Sequence, residues 1–236
     1  MPLAWRSARL HSSSSQTPTA RSLHFAVPGW PGHLAGQHVD VRLTADDGYQ
    51  AVRSYSLAAP ADGDCIELGV QAVIGGEVSP YLADQLSVGA EVEIRGPLGN
   101  WFVWRPDQTG SVLLVAGGSG IVPLTAMIRA RRQAQPETPF HLLYSARTPQ
   151  DIWYGNELTN VVTGLEVEFL YTRQAPPDNS RGPGRLKRTD LERPLARLTH
   201  TCLVYVCGPT GFVETAANLL VDLGQDPATI RTERFG

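Results

Sequence analysis

The chain has 236 residues, 42% hydrophobic and 18% charged, enough for one large domain or two small ones with a buried core. A formal net charge of −3 argues against a general nucleic-acid binder, and no apolar run approaches the roughly 18 residues that a membrane span needs. Cys65, Cys202 and Cys207 are odd in number and scattered. That pattern fits neither a disulfide framework nor a metal site, excludes a four-cysteine iron–sulfur centre built from this sequence, and points to a reducing, cytoplasmic setting.

Residues 1–18 carry basic side chains and a serine run at 12–15 without the apolar core of a signal peptide, so they read as mature, soluble chain. From there to about residue 106, short alternating runs at 23–27, 38–43, 52–57, 65–73 and 91–95 are cut by Gly, Pro and Asp. Such spacing predicts an antiparallel β-barrel or sandwich, with one short helix over 81–86. Past Pro106 the pattern changes. A nearly continuous apolar run at 111–116 precedes glycines and an amphipathic stretch at 122–134. Strands at 140–146, 165–171 and 203–207 then alternate with helices at 150–161 and 211–223. That alternation describes a parallel, Rossmann-like α/β sheet covered on both faces. The chain therefore reads as a β domain, 1–106, and an α/β domain, 107–236, joined near 105–110.

Four motifs carry chemistry. Arg53-Ser54-Tyr55-Ser56 places a cation, an aromatic ring and two hydroxyls in one strand. Alone it reads equally as a half-buried strand or as the wall of a site for a phosphorylated, flat ring system. Strict alternation sends Tyr55 and Ser56 to opposite faces, so a shared role predicts a bend or an edge-on ring. Gly75-Gly76-Glu77-Val78-Ser79 before the 81–86 helix reads as an anion loop or as a capped turn. Gly117-Gly118-Ser119-Gly120-Ile121-Val122-Pro123, between a strand and a helix, lets backbone approach a pyrophosphate, although Pro123 stands where the G-x-G-x-x-G fingerprint has its third glycine. Cys207-Gly208-Pro209 closes another strand, where Cys207 is a structural apolar residue or a nicotinamide contact. At the end of strand 140–146 no acidic residue awaits a ribose 2′-hydroxyl. Ser145 and Arg147 stand there instead, and residues 173–197 hold seven basic groups, Arg173 first, against three acidic ones. Ser145, Arg147 and Arg173 are candidate contacts for a 2′-phosphate.

In this order the motifs resemble those of the ferredoxin–NADP(H) reductase superfamily, in particular bacterial FAD-containing oxygenase or ferredoxin reductases without a fused two-iron domain. The resemblance runs from about Trp5 to Phe235 and covers Arg53 to Ser56 as the flavin motif R-x-Y-S, Gly76 to Ser79 as the flavin pyrophosphate loop, Gly117 to Pro123 as the nicotinamide-dinucleotide loop, and Cys207-Gly208-Pro209 as C-G-P. It implies that Arg53 pairs with the FAD pyrophosphate, Tyr55 packs on the flavin, Ser56 bonds near flavin N5, and Cys207 sits beside the reacting nicotinamide carbon. In the tail 231–236, Glu233 and Phe235 match the family's acidic and aromatic positions near the flavin, although here Gly236 follows the aromatic residue. The implied activity takes hydride from NADPH and passes single electrons to a separate ferredoxin or oxygenase component. Two alternatives stay open: a flavin-binding electron-transfer subunit of a larger complex, and a free flavin reductase.

Overall fold

The computed structural model describes residues 4–108, 110–134, 138–160, 163–198 and 202–235. Thr109 in the expected joint, Val161 at the end of the expected 150–161 helix, and Gly236 lie outside the described residues.

Six strands build the first sheet: β1 (Arg6–Thr17), β2 (Ala20–Ala26), β3 (His38–Thr44), β4 (Gln50–Ser56), β5 (Cys65–Gln71) and β6 (Glu91–Leu98). All pairings are antiparallel, in the order β4-β3-β6-β1-β2-β5. Alternation turns Leu10, Phe25, Val39, Val41, Leu68 and Ile94 inward, and these close-packed side chains form the barrel core. The two edge strands, β4 and β5, are joined by a single bridge between Leu57 and Leu68 and by the Ala58 N–H donating to the Glu67 carbonyl at 2.8 Å. Beyond that stitch the sheet stays open, and the outer edge of β4 at residues 53–56 borders a slot.

Residues 6–17, in which the sequence showed only a serine run, form the longest strand of the sheet. Ser12 to Ser15 pair with Arg21 to His24 across a tight hairpin, so main-chain hydrogen bonds hold the segment where its exposed side chains cannot. The 81–86 helix is a single turn, Tyr81–Gln85.

The second domain contains β7 (Val112–Gly117), α1 (Ile121–Ala134), β8 (Phe140–Ala146), α2 (Gly155–Thr159), β9 (Leu165–Tyr171), α3 (Arg188–Arg197), β10 (Leu203–Pro209), α4 (Thr210–Asp222) and β11 (Ile230–Phe235). Its five strands are all parallel, in the order β11-β10-β7-β8-β9. Every residue of β7 and β8 is buried, as expected of strands covered on both faces. Leu191 of α3 and Val213 and Leu220 of α4 cover one face. The other packs on α1, whose Val122 and Met127 share a core with Ala35, Ala58, Phe102 and Trp104 of the β domain. Among the described residues, no helix is long and apolar enough to cross a membrane.

The expected helix over 150–161 is broken. A one-turn helix, Pro149–Asp151, is followed by Tyr154 in the left-handed region at φ 55°, and only then by the short α2. Trp153 and Tyr154 are buried, so packing of two large rings overrides the helical periodicity of the sequence.

Candidate functional site

The strand order runs from β7 outward through β8 and β9, then reverses to β10 and β11 on the other side of β7. The carboxyl ends of β7 and β10 therefore flank a crevice at the point where open α/β sheets take up ligands. Both glycine motifs lie there, because Gly117 ends β7 and Gly208 and Pro209 end β10. A side chain on Gly120 would collide with the Cys207 carbonyl, so this glycine lets the loop press against β10. Gly118, at φ +54°, has nothing within 4 Å of a Cβ and leaves bare backbone facing the cleft. Ile121 opens α1 directly after this loop, and Pro123 sits in its first turn, where its missing N–H has no intrahelical partner to lose.

The slot at the open edge of β4 is a cavity of about 320 Å³ lined by Arg53, Ser54, Tyr55 and Ser56, by the 76–79 loop, and by Gly69, Ser119, Val122 and Phe235 among others. It thus draws walls from both domains. Of the two expectations for β4, a bend or an edge-on ring, the strand shows no bulge: its register with β3 is unbroken from Gln50 opposite Thr44 to Ser56 opposite His38. The four side chains meet one cavity because that cavity lies at the strand's edge, which both faces border.

Each group in the tetrad has a defined partner. Arg53 Nη2 lies 3.5 Å from Glu77 Oε2 and its side chain is 57% exposed, so it can turn to an anion in the slot. The Ser54 hydroxyl donates to Asp40 Oδ1 at 2.7 Å and braces β4 on β3. Burial pushes the Tyr55 phenol up to about 12, against a hydrogen bond with Ser79 and the charge on Arg53. Ser79 also accepts from the Val73 N–H at 3.1 Å, and the Gly76 N–H is taken by the Val73 carbonyl at 2.9 Å. The helical turn begins at Ser79, with the Leu82 N–H donating to the Val78 carbonyl at 3.0 Å, and the Ser79 hydroxyl turns back to the loop. Gly76 to Val78 form a loop held by these bonds, which leads into the helix start at Ser79.

The Ser56 hydroxyl donates to Glu233 Oε1 across the domain boundary at 3.3 Å. Burial raises the Glu233 carboxyl to about 7, with the bond from Ser56 opposing. Cys207, opposite Glu233 in the β10–β11 register, has no exposed surface. Burial pushes its thiol well above the usual range, and the neighbouring Glu233 adds to the shift. Cys207 and Glu233 thus lie behind the slot, while Ser56 and Phe235 face it.

Two further hollows continue the slot. One, of about 230 Å³, shares Ser119 and Gln71 with it and adds Gly117, Gly118, Ser145, Arg147, Pro209 and Phe212. The next, of about 590 Å³, shares Ser145, Arg147 and Pro209 and adds Arg173 and Arg185. Among its lining residues are three arginines and no carboxylate. The structure also sorts the basic 173–197 region. Arg181 pairs with Asp190, Arg188 with Glu192, Arg193 with Glu168 and Arg197 with Glu166, whereas Arg173 and Arg185 face the hollow. Sequence reasoning did not single out Arg185, because nothing in its local pattern separates it from Arg181 or Arg188.

These residues suit two ligands with phosphates. The slot offers an aromatic ring, hydroxyls and a cation, and the cleft offers bare backbone beside a helix start and a basic end.

Comparison with known proteins agrees. Residues 7–103 match the oxidoreductase FAD-binding domain family and residues 114–218 the oxidoreductase NAD-binding domain family. A similar protein is the ferredoxin–NAD(P)(+) reductase component of the naphthalene 1,2-dioxygenase/salicylate 5-hydroxylase systems of a Ralstonia species, 35% identical over 85% of this chain and 60% of that one. Another belongs to the 1,2-phenylacetyl-CoA epoxidase of Escherichia coli, as one of its component chains, and is 30% identical over 94% of this chain and 65% of that one. The chain thus spans about 60–65% of the length of these relatives. The crystal structure of a Neisseria gonorrhoeae ferredoxin NADP+ reductase with bound FAD and NADP has the same fold, at a TM-score of 0.83, 19% identity and 98% coverage of both chains. From the paired domains, the relatives and the common backbone, the chain belongs to the ferredoxin–NADP(H) reductase superfamily.

Proposed function

We propose that the chain is an FAD-dependent reductase that takes hydride from NADPH and passes single electrons to a separate ferredoxin or oxygenase component, with its two working domains dividing between Pro106 and Asp107. The observation that carries this reading is the continuous cleft, which starts at the Arg53 slot, passes the glycine loop through Ser119 and Gln71, and ends at Arg147, Arg173 and Arg185. A flavin bound in the slot would accept the two electrons of one hydride together and release them singly.

The protein's own groups bind and orient. Arg53 exchanges Glu77 for the flavin pyrophosphate beside the loop of Gly76, Glu77, Val78 and Ser79. Tyr55, fixed through Ser79, packs on the ring, and Phe235 closes the slot from the other domain. Ser56 presents its hydroxyl to the ring edge while Glu233, ionising near pH 7, holds or gives up a proton at that hydroxyl. Gly117, Gly118, Ser119 and Gly120 ahead of Pro123 cradle the nicotinamide pyrophosphate, with Gly208 and Pro209 opposite. Cys207 packs behind the nicotinamide, and Ser145, Arg147 and Arg173 take the 2′-phosphate.

The test is reconstitution with FAD followed by steady-state oxidation of NADPH and NADH with an artificial acceptor. Retained flavin and a kcat/KM at least tenfold higher for NADPH are expected from one phosphate contact of roughly 1.5–3 kcal/mol. A protein that holds no flavin, or one that strongly prefers NADH, overturns the corresponding part.

A further inference from the structure

Among the ion pairs of the described residues, the one between Arg129 and Glu67 joins the two domains. Arg129 lies on α1, and its Nη1 donates to Glu67 Oε2 of β5 at 2.6 Å and to the Ala58 carbonyl at 3.0 Å. Its Nε and Nη2 reach Glu157 of α2 at 3.0 and 2.7 Å, and the guanidinium lies 5.1 Å from the centre of the Tyr154 ring. Glu67 is 8% exposed and is also bound by the Ser22 hydroxyl. The Tyr154 N–H donates to Gln16 Oε1 of β1 at 3.0 Å, so a second tie across the boundary ends on the residue in the left-handed conformation. This is a largely buried charge network in which every nitrogen of the Arg129 guanidinium has an acceptor, unlike a surface pair that salt and motion dissolve.

Its place in the fold gives it leverage. Ala58 is two residues past Ser56, and Glu67 is two residues before Gly69, onto which Val122 of α1 packs. Val122 and Arg129 are two helical turns apart, about 10 Å along one rigid helix. Helix α1 therefore bears on β5 at two points, one at the slot wall and one at the clamp. With both engaged, α1 cannot roll on β5 without breaking a buried ion pair.

We propose that Arg129, held by Glu67 and the Ala58 carbonyl, is a positioning residue that sets the spacing between the 53–56 wall and the Ser119–Val122 wall of the slot, and with it the hydride-transfer distance. The second half of this inference rests on the flavin and nicotinamide reading given above. The clamp is distinct from the groups that touch either ligand: Glu67 and Arg129 line none of the three connected hollows.

The test uses the full chain loaded with FAD. In a Cys65→Ser background, Val88→Cys and Val221→Cys place spin labels at exposed positions on the two domains, and electron–electron resonance reads the distance between them. The variants are Glu67→Gln, which keeps the shape and removes the charge, and Arg129→Lys, which keeps the charge and removes the fork. Both should broaden the single distance peak. They should also slow flavin reduction by NADPH about tenfold to a hundredfold in rapid mixing, raise the isotope effect with NADPH deuterated at C4, and leave KM for NADPH and flavin content near wild type. An unchanged distance distribution in a folded Glu67→Gln protein overturns the clamp. A broadened distribution with an unchanged reduction rate and isotope effect overturns its role in hydride transfer. If the wild-type protein accepts hydride from neither nicotinamide, the functional reading fails, and the label distances still decide the clamp.

Discussion

Replacing Glu233 with Gln should flatten the pH dependence of stability, and the sign follows from burial. The carboxyl titrates near 4.5 in an unfolded chain and at about 7 in the folded one. Between those values the native state holds a proton that the unfolded state has lost. The favourable contribution is therefore complete below pH 4.5 and is lost as pH rises through 7. A displacement of this size is worth roughly 3 kcal/mol, or a shift in Tm of about 6–12 °C for a chain of this length. Glutamine keeps an acceptor for the Ser56 hydroxyl and removes the titration. Urea unfolding of flavin-free protein at pH 5 and pH 8.5 provides the assay. Wild type should lose stability between the two conditions relative to Glu233→Gln, with the two proteins closest at the acid end. Parallel pH profiles, agreeing to within about 1 kcal/mol, would refute the assignment of a desolvated carboxyl behind Ser56.

Arg53→Ala should weaken FAD binding about 10–100-fold by removing one charge-assisted contact, read from the quenching of flavin fluorescence on titration; an unchanged Kd removes Arg53 from the pyrophosphate site. Arg147→Ala should raise KM for NADPH about tenfold and leave that for NADH within twofold, and equal effects on both coenzymes would count against a 2′-phosphate role. Gly120→Ala forces a methyl against the Cys207 carbonyl. It should cost about 1–3 kcal/mol of stability, and a wild-type urea midpoint would show that the loop and β10 are not pressed together.

The parts most legible from sequence are those where one physical pattern acts alone. Strands β8 and β9 match the expected 140–146 and 165–171 residue for residue, because β8 is a mostly apolar, fully buried run and β9 alternates apolar residues with Glu166 and Glu168. The glycine loop was readable because strand, glycines and helix follow each other without interruption. Strand β1 was not, since residues 11–15 are exposed and only Ala8 and Leu10 of its first half are buried. Helix α3 was missed for a similar reason: Leu191 and Pro194 are its buried residues, Leu195 is half-buried against the same core, and most of the rest is exposed and polar. The last strand, β11, alternates charged and polar groups that are mostly half-buried, a pattern typical of a sheet edge and weak as a signal. Arg129 stands beside Arg131 and Arg132 on one helix, and only tertiary contact distinguishes the arginine that meets Glu67 from its neighbours. The tetrad at 53–56 was readable as a set of functional groups, but its geometry depends on which strands are edges, and a single strand's alternation does not encode that.

The unstitched gap between β4 and β5 carries a liability for the protein's solubility. Alternate residues of β4 turn their N–H and C=O groups away from β3 and toward the slot. An exposed row of this kind is a template on which the edge of a second molecule can add a strand. The Arg53 and Glu77 side chains at its mouth and the Phe235 ring across it are what stand in the way of another chain. The opening that admits a flat ligand is thus also the seam along which empty molecules can join.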